Sequence, residues 1–338
     1  MDAAKTFALG VDIGGTKVAA GLVDAEGTIL FQVRVAMPAH GSAAEGFGAV
    51  QSAIEAVFAA RPEARERLTG IGICAPGPLD HVTGVILNPP NVPCWRNFPL
   101  AAEVHRVFGL PPCVDNDGNA AALAEAIWGT GVGYRNVFYV TLGTGIGTGI
   151  VFDREIYHGR TGSAAEGGHV TIDYRGPKCG CGKRGCIEAL CSGPAIARRA
   201  RERLAELHHG GTHQLESPHV KSKMLALAGD DIDDLNAEIV AEAFRQGDAL
   251  ATEVLRETAD LLAIWAGNVI DLLEPDVFIF GGGLAQLMSA FFGRIREQLQ
   301  LWCVNKRFAE MPMVLAKYGA DSGIAGAAAL CRDEMTGK

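Results

Sequence analysis

The sequence has little of what a nucleic-acid-binding or membrane protein needs. It carries 30 Lys and Arg against 39 Asp and Glu, a net charge of −9 at pH 7, and it has no basic run. This acidic balance argues against partners such as phosphate backbones and anionic lipid surfaces. No segment reaches eighteen apolar residues, and the N-terminus lacks the cationic start and apolar core of a signal peptide. We therefore expect no nucleic-acid partner and no membrane association.

A disulfide framework is also missing. Nine cysteines, an odd number, are spread over 338 residues without a secretion signal, a pattern that is not typical of disulfide-stabilised secreted proteins. We therefore expect reduced thiols and a cytoplasmic protein. The remaining composition, 48% hydrophobic residues with 43 glycines, is globular, and the chain is long enough for two domains.

The order of predicted elements repeats along the chain. Three strands joined by tight turns begin at Phe7, and a second group of strands around a glycine turn begins at Val137. Helices and strands alternate after each group, with longer helices at roughly 236–247 and 249–272 and a single helix after Gly281–Gly283. The pattern predicts two α/β halves of similar design that face each other across a cleft, although no clear sequence repeat relates them.

Two glycine-rich turns are close to phosphate-binding loops without matching them. In DIGGTK the Thr precedes the Lys and a strand follows, whereas a Walker A loop has Lys before Ser or Thr and opens a helix. LGTGIGTG misses the dinucleotide-binding fingerprint and is likewise followed by a strand. Both turns offer backbone N–H groups and hydroxyls in an anion-sized concavity; the alternative is plain hairpin turns in which glycine supplies positive φ. Asp12 is the expected partner of a Mg²⁺ ion, and the candidate phosphate-binding residues of these glycine turns are Gly14, Gly15, Thr16, Lys17, Thr144, Gly145, Gly282 and Gly283.

The motif VDNDGNAAALAE places Asn116 and Asp117 between a predicted strand and a predicted helix. Aspartate is a good helix N-cap, which is one explanation for Asp117. A carboxylate at the end of a strand is also placed to accept a proton from a substrate hydroxyl, and the two explanations are compatible. We expect the helix N-terminus to lower the pKa of Asp117.

The segment EGGHVTIDYRGPKCGCGKRGCIE contains four residues that can bind a metal. His169, Cys179, Cys181 and Cys186 supply the ligands of a closed tetrahedral Cys₃His zinc site. The C-x-C spacing is tighter than the common zinc spacing, so redox-active or buried thiols remain the alternative. Four protein ligands leave no open position, and a metal here would fix a loop rather than activate water.

Taken in order, DIGGTK, NPPNVPCW, VDNDGNAAALAE, LGTGIGTGI, EGGH, CGCGKRGCIE and FGGG resemble the ROK family (repressors, open reading frames and sugar kinases) over nearly the whole chain. The resemblance implies an α/β, actin-like and ribonuclease-H-like fold, nucleotide between the domains, sugar in the cleft and a homodimer formed through the large domain. It implies structural zinc on the Cys₃His cluster, with one ring nitrogen of His169 on the metal. It makes Asp117 the catalytic base, and the implied sugar-binding residues are Gly77, Asn91, Asn116, Asp117, Glu166, His169 and Glu188.

The resemblance favours an ATP-dependent hexose kinase that acts on the 6-hydroxyl of glucose. Kinases of N-acetylglucosamine or N-acetylmannosamine are alternatives, and polyphosphate is an alternative donor. A sugar-sensing repressor and a non-catalytic actin relative are less well supported, because only six residues precede Phe7 and because the sugar-binding residues and Asp117 are present. Ala124 and Ala165 stand where family members commonly have glycine, which bears on sugar preference.

We expect a small domain of residues 1–117 plus 308–338 and a large domain of residues 118–307 that holds the metal-binding motif. The polar stretch from His208 to Lys223 carries no recognisable motif.

Overall fold

The computed structural model describes residues 7–209 and 222–332, apart from the side chains of 207–209 and 309–310. The polar stretch from His208 to Lys223 therefore lies largely outside the described residues. The strands are Phe7–Ile13 (β1), Lys17–Asp24 (β2), Ile29–Ala36 (β3), Leu68–Ala75 (β4), Leu79–Asp80 (β5), Val85–Ile86 (β6), Cys113–Asn116 (β7), Asn136–Leu142 (β8), Ile146–Phe152 (β9), Glu155–Ile156 (β10), Val277–Gly281 (β11) and Met313–Leu315 (β12).

The α-helices are Ala43–Ala60 (α1), Ala64–Arg67 (α2), Leu100–Phe108 (α3), Asp117–Trp128 (α4), Ile187–Cys191 (α5), Gly193–His209 (α6), Lys223–Leu227 (α7), Ala237–Arg245 (α8), Ala249–Leu273 (α9), Ala285–Ser289 (α10), Phe292–Trp302 (α11) and Ser322–Ala329 (α12). Short 3₁₀ turns cover Gly167–His169, Ile232–Asp234, Lys306–Glu310 and Gly319–Asp321. In the described part of the chain, none of these helices is both long and apolar enough to cross a membrane.

Two five-stranded sheets share one topology. Their strand orders are β3-β2-β1-β4-β7 and β10-β9-β8-β11-β12. In each sheet, three strands consecutive in sequence precede two strands that are reached through helical connections. Strand β1 pairs antiparallel with β2 and parallel with β4, and β11 pairs parallel with β12. The predicted repetition of strand order is confirmed.

Most predicted elements are present, with one correction. The two longer helices were expected at 236–247 and 249–272 and are found as α8 and α9. The single helix predicted after Gly281–Gly283 is wrong, because α10 and α11 are separate helices interrupted at Ala290 and Phe291. The short strands β5, β6 and β10 were not anticipated, since two-residue strands carry no alternation pattern.

The chain divides into two compact units. The first contains Met1–Tyr139, Thr148–Ala165 and Ala316–Lys338, and the second contains Val140–Gly147 and Glu166–Leu315. This division differs from the expected boundaries, because the first unit continues past Asp117 through α4. The physical reason is that α4 packs on α12 at close range. A Cβ on Gly326 of α12 would lie 2.6 Å from the carbonyl carbon of Ala120 in α4.

Side-chain alternation along β1 organises the first unit. Leu9 and Val11 join the main core under α1, whereas Ala8 faces α12 in a separate apolar cluster. Helix α12 approaches this second face closely, since a Cβ on Gly10 would lie 2.0 Å from the Ile324 carbonyl oxygen. The same alternation puts Asp12 at the end of β1 on the α12 face.

Helix α9 is the centre of the second unit and packs against α5, α6, α8 and α11. Its buried Trp265 meets the ring of Phe278 on β11 edge to face, at a centroid distance of 6.1 Å. The Trp265 indole N–H donates to the carbonyl of Gly167 at 2.9 Å. Helix α9 therefore holds the 3₁₀ turn that ends at His169.

Candidate active site

Asp12 lies at the end of β1, where the first glycine hairpin begins. Burial raises the pKa of its carboxyl, and the neighbouring Cys74 thiol and Lys17 ammonium only partly offset this effect. The thiol of Cys74 is 3.5 Å from Asp12 Oδ1. Gly323 packs directly on the Asp12 side chain, because a Cβ there would lie 2.3 Å from Asp12 Cγ. Cys74 and Gly323 were not singled out from the sequence, since nothing local links them to Asp12.

The first glycine hairpin has the form expected for a tight turn. Gly14 N–H donates to the Lys17 carbonyl at 2.9 Å, and Thr16 and Lys17 are exposed. Gly15 approaches the predicted sugar-binding loop, since a Cβ there would lie 2.7 Å from the carbonyl oxygen of Asn91. The hairpin and the Asn91 loop are therefore in contact within the first unit.

Gly77 and Asn116 are also neighbours in the first unit. The Gly77–Pro78 peptide bond is cis. A Cβ on Gly77 would lie 3.6 Å from the side-chain nitrogen of Asn116, which is an ordinary contact distance. Among the predicted site residues of this unit, nucleotide-binding Gly15 therefore lies against sugar-binding Asn91, and sugar-binding Gly77 lies against sugar-binding Asn116.

The strand–helix junction corrects two expectations about Asp117. The N-cap of α4 is Asn116, whose Oδ1 accepts from Gly118 N at 2.9 Å, and Asp117 is the first helical residue. The pKa of Asp117 is raised to about 6, not lowered. Desolvation by the surrounding protein is the largest cause, and the negative charge of Asp12 adds to it. These effects outweigh the Gly118 N–H, which donates to Asp117 Oδ1 at 2.8 Å.

The raised pKa changes what Asp117 can do chemically. Its side chain is exposed and reachable by a substrate, although protein crowds its carboxyl group. A carboxylate with a pKa of about 6 is ionised at neutral pH and is a better proton acceptor than an ordinary aspartate. Asp117 therefore has the properties of a general base.

The second glycine hairpin connects β8 and β9. Gly143 N–H donates to the Gly145 carbonyl at 3.0 Å, and Thr144 is exposed at the tip. Gly193 N, at the start of α6, donates to the Gly143 carbonyl at 2.8 Å. Backbone contacts therefore hold the hairpin beside a helix N-terminus, a place that favours negative charge.

Gly282 and Gly283 lie next to this second hairpin. Gly282 has φ +83°, and a Cβ there would lie 2.4 Å from the Leu142 carbonyl oxygen, so only glycine fits the turn. Leu284 N donates to the same carbonyl at 3.0 Å. The structure thus brings together the predicted nucleotide-binding residues of the second unit.

The Cys₃His cluster has the geometry of a metal site. The ligand atoms of His169, Cys179, Cys181 and Cys186 all lie within 4.8 Å of one another. Cys181 Sγ is 3.7 Å from Cys186 Sγ, and Cys179 Sγ is 3.6 Å from His169 Nδ1. A tetrahedron with Zn–S bonds of about 2.3 Å has edges of roughly 3.7 Å. The four residues therefore fit a zinc-sized ion, with Nδ1 as the histidine ligand atom.

Backbone pairing closes the segment around this cluster. Ile187 N donates to the Val170 carbonyl at 3.0 Å, and Thr171 and Cys186 form an antiparallel bridge. Gly185 has φ +62°, and a Cβ there would lie 1.5 Å from the Asp173 carbonyl oxygen. The two ends of the segment are therefore adjacent, as a chelating loop requires.

The three predicted sugar-binding residues of the second unit have different surroundings. Glu188 Oε1 is 3.7 Å from His169 Nδ1, and its Oε2 accepts from Ile146 N at 3.0 Å. A Cβ on Gly145 would lie 2.7 Å from Glu188 Oε2. Glu188 thus joins the cysteine cluster to the second glycine hairpin, a contact that the sequence did not indicate. The Glu166 side chain is exposed, and its carbonyl accepts from His169 N at 3.0 Å.

Two sheets of like order, with glycine turns at strand ends and a carboxylate at a strand–helix junction, define the actin-like class of α/β folds. Within that class, the chain matches the ROK family over residues 8–334 and belongs to it.

Relatives extend over nearly the whole chain. A glucokinase from Streptomyces coelicolor is 36% identical over 330 residues, covering 96% of this chain and 97% of that protein. A glucokinase from Thermotoga maritima is 32% identical over 330 residues, covering 97% and 98%. A solved ROK family glucokinase from Streptomyces griseus, in complex with glucose and AMPPNP, is 35% identical with a TM-score of 0.78 and covers 97% of this chain and 99% of that one. The predicted actin-like fold is confirmed.

Proposed function

We propose that this chain is an ATP-dependent kinase that transfers a phosphoryl group to the 6-hydroxyl of glucose. The observation that carries the proposal is Asp117, an accessible carboxylate at the start of α4 whose pKa is raised to about 6. The S. griseus complex with glucose and AMPPNP, and the two glucokinases that match over their full length, support glucose and ATP as substrates.

In this proposal Asp117 accepts the proton of the sugar hydroxyl as the phosphoryl group moves to the oxygen. Phosphoryl transfer depends on positioning and charge stabilisation, with little covalent chemistry for the protein to perform. Asn116 orients the junction through its cap of α4. The other proposed sugar ligands are Gly77, Asn91, Glu166, His169 and Glu188.

The glycine hairpins are proposed to bind the nucleotide. Their backbone N–H groups and hydroxyls supply donors to phosphate oxygens. Asp12, a partly buried carboxylate, is the proposed partner of the Mg²⁺ ion that accompanies ATP and neutralises phosphate charge. The remaining proposed nucleotide ligands are Gly14, Gly15, Thr16, Lys17, Thr144, Gly145, Gly282 and Gly283.

A panel of acceptors and donors tests the substrate. Glucose, mannose, N-acetylglucosamine and N-acetylmannosamine are each offered with ATP or polyphosphate, and sugar phosphate is measured directly. We expect glucose with ATP to give the highest kcat/KM. A higher value for an acetylated hexosamine would replace glucose as the substrate, and ATP turnover unchanged by any sugar would contradict a sugar kinase.

Replacement of Asp117 tests the proposed base. Asp117→Asn keeps the size of the side chain and removes its basicity, so we expect kcat to fall about 10²–10⁴-fold with glucose affinity kept. Asp234→Asn, at an exposed position of the second unit, is the matched control. Near-normal turnover of Asp117→Asn would remove Asp117 from the reaction.

We further propose that His169, Cys179, Cys181 and Cys186 hold a structural Zn²⁺. Four protein ligands would complete its coordination, and the ion would supply fixed geometry to the loop. The contact of Glu188 with both His169 and Ile146 supports a link from this loop to the glycine hairpin. Elemental analysis of purified protein should give one zinc per chain, and Cys186→Ser should lose it while Cys191→Ser, a buried thiol outside the cluster, should not.

A homodimer is proposed through the second unit. Leu272, Leu301, Trp302 and Val304 are exposed apolar residues near the ends of α9 and α11, with Leu301 72% and Val304 87% exposed. Such a patch is typical of a protein interface. Sedimentation should report a dimer that Leu301→Glu weakens and that Val82→Glu, an exposed apolar site in the first unit, leaves intact. We also propose a cytoplasmic location, since none of the nine cysteines forms a disulfide.

A further inference from the structure

A buried carboxylate lies two residues before Asp117 and has no role in the proposed reaction. Asp115 is only 4% exposed and sits in β7. Its Oδ1 accepts from Asn116 N at 2.7 Å and from the Asn119 side-chain amide at 3.0 Å. Its Oδ2 is 2.6 Å from His158 Nε2. Three donors therefore satisfy this carboxylate, as burial of an ionised group requires.

The ring of His158, which is bonded to Asp115 Oδ2, is held in place by a second histidine ring. The His158 ring stacks on the ring of His81, with centroids 3.9 Å apart and planes 4° apart. Gly162 in turn packs on His81, since a Cβ there would lie 2.8 Å from His81 Nδ1. For His158 to donate to the Asp115 carboxylate, the proton must be on Nε2. A stacked imidazole of defined tautomer is thus aimed at Asp115.

The network spans the strand–helix junction that carries Asp117. Asp115 binds the backbone N–H immediately before Asp117 and the side chain two residues after it. The orientation of the Asp117 side chain at the start of α4 therefore depends on the position of Asp115. His158 supplies the only one of the three donors that comes from another part of the chain.

We propose that Asp115 and His158 are positioning residues for the general base Asp117, and that His81 fixes the orientation of the His158 ring by stacking on it. The proposal rests on the proposed function, because it concerns the orientation of the Asp117 carboxylate in that reaction. It predicts a loss in the chemical step without a comparable loss of sugar binding. A misplaced catalytic group commonly costs about 10²-fold in rate for a shift near 1 Å.

Steady-state kinetics with glucose and ATP test this role. We expect His158→Ala to lower kcat about 10- to 100-fold and to leave the glucose KM within about 3-fold. His158→Gln, whose amide can donate in place of Nε2–H, should recover most of kcat. His105→Ala, an exposed histidine on α3, is the control and should match the unmodified protein. Unchanged kcat in His158→Ala, or no recovery in His158→Gln, would overturn the proposal.

The neighbouring cavity offers a chemical rescue. A cavity of about 410 Å³, lined in part by His81, Asp115 and His158, adjoins the network. Removal of the His158 ring would enlarge this space enough to admit free imidazole. Millimolar imidazole should therefore raise kcat of His158→Ala and leave His105→Ala unchanged. A purely structural loss of packing would not respond in this selective way, and absence of rescue counts against the hydrogen bond to Asp115.

A spectroscopic readout separates this inference from the proposed function. The side-chain carboxyl ¹³C signal of Asp117 should shift in His158→Ala and stay in place in His105→Ala, whether or not glucose is the substrate. An Asp117 signal identical in all three proteins would overturn the positioning role. If the unmodified protein phosphorylates no sugar while the Asp117 signal shifts as expected, the proposed function fails and the link from His158 to Asp117 stands. If His158→Ala does not fold, the same measurements are made on Asp115→Asn.

Discussion

The raised pKa of Asp117 gives a quantitative prediction for the pH dependence of turnover. The base must be ionised to accept a proton, so kcat/KM for glucose, which reports the free enzyme, should rise with pH through the pKa of about 6. Activity should reach half its plateau near pH 6 and fall to about a tenth at pH 5. An enzyme whose aspartate has an ordinary pKa of 3.8 would keep more than about nine-tenths of its activity at pH 5. The two cases are easily distinguished.

The assay is kcat/KM for glucose between pH 4.5 and about 9, with sugar phosphate measured directly so that no coupling enzyme limits the rate. The terminal phosphate of the nucleotide also titrates near pH 6. The carboxyl ¹³C signal of Asp117 is therefore titrated in parallel without nucleotide. Both titrations should give a midpoint near 6 if Asp117 controls the acid limb.

A matched pair of variants tests the cause of the shift. The Asp12 charge contributes to the raised pKa, so Asp12→Asn should move the ¹³C midpoint of Asp117 to lower pH. Asp153→Asn, an exposed carboxylate of the same unit, should leave it unchanged. A midpoint at or below pH 4.5 in the unmodified protein would refute the reasoning, because desolvation would then not govern this carboxyl group.

Two further predictions concern backbone positions. Gly323→Ala should destabilise the protein by about 1–3 kcal/mol in chemical denaturation and weaken MgATP binding, because its Cβ would displace Asp12. The control is Gly293→Ala, which is also at the second residue of its helix but faces open space, and which should be neutral or stabilising. Equal stability of the two variants would contradict the contact between Gly323 and Asp12. Ala165 has φ +62°, a backbone conformation that favours glycine, so Ala165→Gly should raise the free energy of unfolding by about 0.5–1 kcal/mol. The control Ala164→Gly, at the neighbouring residue, should destabilise the protein slightly. A lower denaturation midpoint for Ala165→Gly than for the unmodified protein would contradict backbone strain at Ala165.

Local pattern was sufficient for much of the fold. Apolar runs bounded by turn residues predicted β1, β2 and β3, and helical periodicity predicted α8 and α9, to within a few residues. The helix after Gly283 was predicted as one element because its apolar residues continue through the break at Ala290 and Phe291. A break without proline or glycine leaves no local signal.

Sequence alone identified chemistry that depends on residue type and spacing. The Cys₃His ligands, the glycine turns and the carboxylate after β7 are predictable from the sequence, because thiolates, glycines and strand-end carboxylates are each suited to few tasks. The tertiary structure decided everything that depends on neighbours distant in the chain. It placed His158 on Asp115 and Gly323 on Asp12, and it reversed the expected pKa shift of Asp117. The helix N-terminus, which predicted a lowered pKa for Asp117, can be recognised from the residues next to it in the sequence. The desolvation that raises this pKa comes from surrounding atoms whose positions no local sequence pattern specifies.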